Sequence, residues 1–538
     1  MPDEEFTESQ LKILRHFVTN TGSNLFVLKN LPEVIKGALF SRYSRSTLSL
    51  RSLLLKEFIA NEEAALNSLT TAQLEKEEEG IALHKAQAFY DRILDGYGDD
   101  SIGELGGAHL AAEGVSMLAA KEIEECRIGG SPLEKSTRYI YFDQKVNGRY
   151  QFYQEPVLLT SAYKDLFLDT SNFLFDVYAK LIPPLTQRIE KYFPHDPTIS
   201  KAAYTAALRA KVLDCLRGLL PAGTLTNLGV YGNGRFFETL LQKLQRHPLS
   251  EMQDLGRKGY QELSQVIPSF IRRAHPENRH FQATLQYYEE TERQLHHFSS
   301  HHAPSIPPMN SPGVRLIHSD PDALAKVAAA LLFETTDSGL SELFTFAKSL
   351  SEEELALLFD ATTSARANRR HKSPRALEHA SFTFELLIDY GGFRDLQRHR
   401  MVTQEKQLLT CNHGYFLPEE LKGTEMEEEY CNAMLRAKEA YDTIASSFPE
   451  EAQYMVPMAY NIHWYCHLNL RAIQWLCELR SQAAGHATYR RVAQEMAQEV
   501  TKKFPLFERF LKFVDTEDYT LGRLDAEVRQ ENKVRGVS

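Results

Sequence analysis

Cysteine is scarce in these 538 residues and never clustered. The six cysteines (Cys126, Cys215, Cys411, Cys431, Cys466, Cys477) include no Cys-x-x-Cys pair. That spacing offers neither a zinc site nor a disulfide framework. Long apolar runs are also missing, and none reaches the ~20 residues that a bilayer span requires. Excess positive charge is absent too. The formal net charge is −11, which argues against a generic nucleic-acid or anionic-membrane binder and confines phosphate recognition to a few local arginines. The start Met1-Pro2-Asp3-Glu4-Glu5 is acidic and unlike a signal peptide. These absences predict a reduced, cytoplasmic protein without a metal site.

What is present is an ordinary globular composition, 43% hydrophobic and 25% charged. The chain is too long for one core, so at least two domains are expected. A run rich in Pro, Ser and His, residues 296–313, reads as a linker unable to continue a helix and divides 1–295 from 314–538. Its histidines have no Cys or carboxylate neighbours that would suit a metal. After it, Val314-Arg315-Leu316-Ile317 reads as a strand and Ala323 to Leu332 as a helix, an α/β pattern. Arg490 to Phe504 has helical periodicity. Near the start, Leu25-Phe26-Val27-Leu28 is a short apolar run. Ser41-Arg42-Tyr43-Ser44-Arg45-Ser46 is either a solvated turn or a phosphate clasp.

From Ser381 to Ile388, Phe382, Phe384, Leu386 and Ile388 alternate with polar residues, the period of a half-buried strand. Asp389 to Arg400 then reads as a short helix ending in Arg398-His399-Arg400. Cations in a last turn complement the helix dipole without any ligand; the same planar forks also suit phosphates. Just upstream, Arg366, Arg369, Arg370, His371, Lys372 and Arg375 surround Ser373-Pro374. A loop this basic in an acidic chain fits a pyrophosphate or a polyanionic tail, or is simply solvated.

Glu378-His379-Ala380-Ser381-Phe382-Thr383-Phe384, the helix ending in Arg-His-Arg, and Asn469-Leu470-Arg471 with Arg480 nine residues on resemble the flavin-dependent thymidylate synthases, the ThyX family. Aligned on that pattern, the first half repeats the second. Glu104 falls where Glu378 does, and Arg127, with a one-residue gap, where Arg400 does. Leu220-Pro221 precedes Asn233-Gly234-Arg235 by the interval that separates Val456-Pro457 from Asn469-Leu470-Arg471. Matching order points to duplication of one domain, with extra residues in the first half around Ile189 to Ala207. Each domain is expected to be a mixed α/β (α+β) unit, a sheet flanked by helices.

The signature is split. Ser136-Thr137-Arg138-Tyr139 resembles the family's closing Ser-x-Arg-Tyr and occurs only in the first half. Arg398-His399-Arg400 occurs only in the second, and Trp475 stands where the family has His or Asn. The resemblance implies a dUMP site of Ser136, Arg138, Arg217 and Arg480, with Arg480 catalytic. It implies FAD contacts from Arg398, His399, Arg400, Asn469, Arg471 and Glu378, and from Ser101, Asn233 and Arg235 in the first half. NADPH and methylenetetrahydrofolate are the implied co-substrates. The chemistry agrees: making C5 of a uracil ring nucleophilic takes either a thiolate or cationic donors on the carbonyl oxygens. Among the cysteines only Cys411 has a suitable setting, and nothing positions it. Complementary losses predict a composite site made by unlike halves. A homodimer would then reproduce the family's four domains. A non-catalytic flavin- or nucleotide-binding protein, or a structural homologue, is the alternative.

Overall fold

The computed structural model describes residues 6–44, 46–59, 103–126, 128–303, 309 and 311–535. It is a mixed α/β structure with two small sheets. The first contains β1 (Gly107–Ser116), β2 (Gly130–Glu134) and β3 (Leu225–Asn233) in the order β1-β3-β2. The second contains β4 (Gly313–Ser319), β5 (Ser381–Asp389), β6 (Thr403–Lys406) and β7 (Asn461–Asn469) in the order β4-β5-β7-β6, antiparallel throughout. Without the edge strand β4, the two orders are the same. The duplication read from motif spacing is therefore a duplication of topology.

Strand β5 forms as its alternation requires. Phe382, Phe384 and Leu386 are fully buried, and the Phe382 ring meets Phe504 and Phe507 at 6.0 and 6.4 Å. The opposite face is polar, with Thr383 Oγ1 2.9 Å from His467 Nδ1. Strand β4 and the helices Ala323–Phe333 and Ala487–Lys503 also fall where apolar spacing places them. The first half has two helices, Lys164–Tyr192 and Lys201–Leu216, before its proline segment; the second has Glu425–Ala445. The break between the first two lies where extra residues are expected.

Compactness does not follow the expected boundary. One unit comprises 1–113, 122–134 and 227–305; the other comprises 114–121, 135–226 and 306–538. The larger unit thus takes a long piece of the first half. A physical join explains it. Pro221 and Pro457 form an antiparallel bridge. On either side, Ala222 N–H donates to Val456 O at 2.9 Å and Met458 N–H to Leu220 O at 3.0 Å. One step further, Gly223 N–H donates to Tyr454 O at 2.6 Å and Ala459 N–H to Gly218 O at 2.9 Å. Each bond maps onto its partner by a shift of 236 positions, the offset between Pro221 and Pro457. Equivalent residues exchanging equivalent bonds are the mark of a two-fold contact, here made inside one chain.

The supposed linker is helical up to His302, the last residue of helix Arg279–His302. Histidine and serine tolerate a helix, and the prolines begin only at Pro304. Leu25 and Val27 of the short apolar run are exposed, 82% and 65%. Ser41-Arg42-Tyr43 closes helix Glu33–Tyr43. Among the described residues no group of His, Cys, Asp and Glu is arranged to hold a metal ion, and no helix is long and apolar enough to cross a membrane.

Candidate functional site

Strand β5 hands over at Asp389, whose carboxylate accepts the Gly392 N–H at 2.8 Å and caps helix Tyr390–Leu396. With two glycines in its first turn the helix is short. It stops before Arg398-His399-Arg400, which form the turn beyond it rather than the last helical turn. These three line a cavity of about 500 Å3 with Glu378, Asn469, Arg471 and Arg480. Six of the residues implied for flavin thus share one cavity with Arg480. The exposed Trp475 and the basic-loop residues Arg369 and Lys372 line it too.

Several of these side chains are partly spent. Asn469 Oδ1 accepts the Ala472 N–H at 2.9 Å and caps helix Leu470–Arg480. Arg471 donates to Ser373 O at 3.1 Å and to Glu378 at 2.7 Å. Arg375, then Arg471, hold the Glu378 carboxyl below its ordinary range. The first half repeats this pattern: Asn233 caps helix Gly234–Gln245 and Arg235 lies 3.2 Å from Glu104. Ser101 and Arg127 lie outside the described residues. In the basic loop, Arg366 is neutralised by the fully buried Glu478, with Nη1 2.6 Å from Oε1. It therefore belongs to the core rather than to a phosphate.

Beside the cavity, arginines from both halves converge within the larger unit. Arg217 Nη1 lies 3.5 Å and Arg480 Nη1 3.9 Å from Asp395. Burial alone would push the Asp395 carboxyl up; Arg398, Arg217, Arg480 and Arg138 overcome that and hold it far below its usual range. Arg480 Nε donates to His399 Nε2 at 3.1 Å, which requires that nitrogen to be unprotonated. Arg138 closes on Asp214 with one edge of its fork, Nε and Nη2 at 2.6 Å each, and its Nη1 donates to Tyr489 Oη at 2.9 Å. Ser136 Oγ accepts the Arg138 N–H at 3.2 Å. Tyr489 sits under two guanidinium groups, those of Arg138 and Arg480, each 5.6 Å from its ring. Arg217 is 4% exposed and its Nη2 has no hydrogen-bond partner, a buried donor of the kind an anionic or carbonyl oxygen satisfies.

Asp395, Asp214 and Tyr489 were not candidates from sequence. A carboxylate three residues before the Arg-His-Arg triplet was the available signal for Asp395. Asp214 and Tyr489 come from distant helices and had none. The best-placed cysteine offers no activated thiol. Cys411 is 2% exposed and burial raises its thiol well above the ordinary value, the opposite of an activated nucleophile.

The sequence model described as "Thymidylate synthase complementing protein" matches residues 56–269 and again 315–506. A UPF0159 protein of Chlamydia pneumoniae is 54% identical over 529 residues, 98% of this chain and 99% of that one. A UPF0159 protein of Thermoplasma acidophilum is 34% identical, covering 93% and 99%. A flavin-dependent thymidylate synthase of Clostridium tetani is 26% identical over 216 residues, 36% of this chain and 83% of that one. Among solved structures, a UMP/dUMP methylase from Streptomyces cacaoi bound with 5-Br dUMP aligns with a TM-score of 0.30 and 21% identity. It covers 39% of this chain and 98% of its own. Because the family's sequence pattern occurs twice and spans most of the length, the chain belongs to the thymidylate synthase complementing protein family, as a tandem duplication.

Proposed function

We propose that the chain is a flavin-dependent thymidylate synthase-like enzyme. It would transfer a one-carbon unit from methylenetetrahydrofolate to dUMP, with FAD reduced by NADPH. The observation that carries this reading is the convergence of Arg138 and Arg217 from the first half with Arg398 and Arg480 from the second, next to the 500 Å3 cavity.

The residues present fit a flavin dinucleotide. Arg369 and Lys372 supply cations for a pyrophosphate, the Asn469 amide keeps its N–H donors, and Trp475 offers a ring face for stacking. When bound and reduced, the flavin supplies the hydride. The chain's own part is electrostatic. Arg480, fixed by His399 and Asp395, would meet negative charge developing on a uracil carbonyl oxygen. Arg217 would offer its unspent Nη2 to the nucleotide. No thiolate is required, in keeping with the raised Cys411 thiol. We further propose a homodimer with one nucleotide site per chain, because each site uses both halves.

The test is absorbance and product. Purified protein saturated with FAD should show bound-flavin absorbance and form dTMP when given dUMP, methylenetetrahydrofolate and NADPH. Absence of bound flavin would sink the enzyme reading. A second reading, a binder without turnover, is favoured by the closure of Arg138 on Asp214; flavin binding without dTMP would select it.

A further inference from the structure

We propose that Arg523, which lies beyond both family-matched segments, binds the phosphate of the nucleotide and so completes the anion site from the C-terminal extension. The inference rests on the nucleotide reading and names a residue which that reading does not contain.

A second cavity, of about 430 Å3, lies within the same compact unit and is lined by Lys211, Asp214, His486, Arg490 and Arg523, among others. The cations there differ in what they have left to give. Lys211 is paired with Glu420. Arg490 donates to Ser481 O and Glu517 O, both at 2.7 Å, and lies 3.5 Å from Asp515. Arg138, at the cavity's edge through Asp214, has its Nε and Nη2 on that carboxylate and its Nη1 on Tyr489. Arg523 is 8% exposed, yet its Nε and Nη1 have no hydrogen-bond partner. Its guanidinium rests 4.2 Å over the Tyr139 ring, next to the Ser136–Arg138 turn. Burial and the neighbouring Arg138 both disfavour its charge, against Asp214, Tyr139 and Tyr489, and its pKa is lowered.

The backbone is built to hold it there. A Cβ at Gly522 would collide with Ala483 O, so only glycine lets the extension lie this close to the turn at 483–485. On that turn, Ala484 O accepts from Arg138 Nη2 at 3.3 Å. Arg523 is also the N-cap residue of helix Leu524–Val534 and makes no side-chain cap bond. A buried cation with unspent N–H groups is a cost in the ligand-free protein. A phosphate monoester, with several acceptor oxygens and negative charge, removes that cost.

The experiment uses the full chain and calorimetric titration with dUMP, deoxyuridine and inorganic phosphate, alongside melting temperatures. Arg523→Gln should lose about 10- to 100-fold in dUMP affinity, the range for a charge-assisted bond, while deoxyuridine binding is unchanged. Arg523→Lys should fall between. Ligand-free Arg523→Gln should melt at or above the wild-type temperature. Unchanged dUMP affinity, or equal losses for dUMP and deoxyuridine, would overturn the proposal while leaving the nucleotide reading intact. If the wild type binds neither nucleotide nor nucleoside, that reading falls and phosphate decides. A phosphate-induced rise in melting temperature that Arg523→Gln lacks supports the anion site, and equal responses reject it. Should Arg523→Gln fail to fold, Gly522→Ala displaces the side chain without removing its charge. Loss of the phosphate-dependent part of affinity then supports the assignment, and its retention rejects it.

Discussion

Arg480 ends the helix that Asn469 begins, and its guanidinium is held by His399 and Asp395 rather than left to solvent. Arg480→Ala should therefore leave the fold intact and remove transition-state stabilisation of about 3 kcal/mol, more than about a hundredfold in turnover; dTMP formation beside a melting curve checks it. His486 is a second residue-scale case. Its Nε2 donates to Asp214 O at 2.9 Å and its Nδ1 accepts the Thr488 N–H at 3.2 Å. Burial, with Arg217 and Arg138, pushes its pKa down to about 3, against Asp214. The unfolded chain binds a proton near pH 6.5 that the folded chain refuses. Its stabilising contribution is thus fully present above about pH 6.5 and is lost toward pH 3, at about 1.4 kcal/mol per pH unit. Denaturation midpoints should fall between pH 6.5 and 5, and His486→Gln, able to keep both bonds, should flatten that slope. Arginine chemistry was legible in sequence because Arg is charged in every environment. Its counter-ions Asp214 and Glu478 were not, because pairing across distant segments leaves no spacing to read.

At the scale of elements, alternation identified β5 and spacing identified the helix Ala487–Lys503, since burial on one face dictates both patterns. Composition misleads at 296–302, because His and Ser suit a linker and a helix alike, and the helix continues to His302. Asn469 shows how one element serves two ends. Its Oδ1 caps a helix, and in the proposed site its amide N–H groups would meet the flavin. Asn469→Asp keeps the acceptor and should keep stability, but should weaken FAD binding. Asn469→Ala should lose both, including about 1 kcal/mol of cap energy. Equal FAD affinity in Asn469→Asp and wild type would reduce the residue to a cap.

At the scale of the molecule, the repeat was readable from motif order, but the interleaving of its parts was not. The bonds around Pro221 and Pro457 are backbone bonds, and side-chain patterns carry no trace of them. Residues 306–538 expressed alone should therefore expose the surface that 135–226 covers, and should aggregate or fail to bind dUMP tightly. Supplying 1–305 in the same cell should restore binding. Tight dUMP binding by 306–538 alone would refute the composite site.

The Pro221–Pro457 contact also carries an evolutionary freedom. When two identical subunits meet across a dyad, every substitution arrives twice, and a residue good for one side must be tolerable on the other. Joined in one chain, the two sides mutate singly. Arg217 and Gln453 occupy corresponding positions four residues before those prolines. One is a buried cation facing Asp395; the other accepts the Leu409 N–H and donates to Glu450. In one chain, one copy of the position holds a buried charge and the other ties backbone segments together.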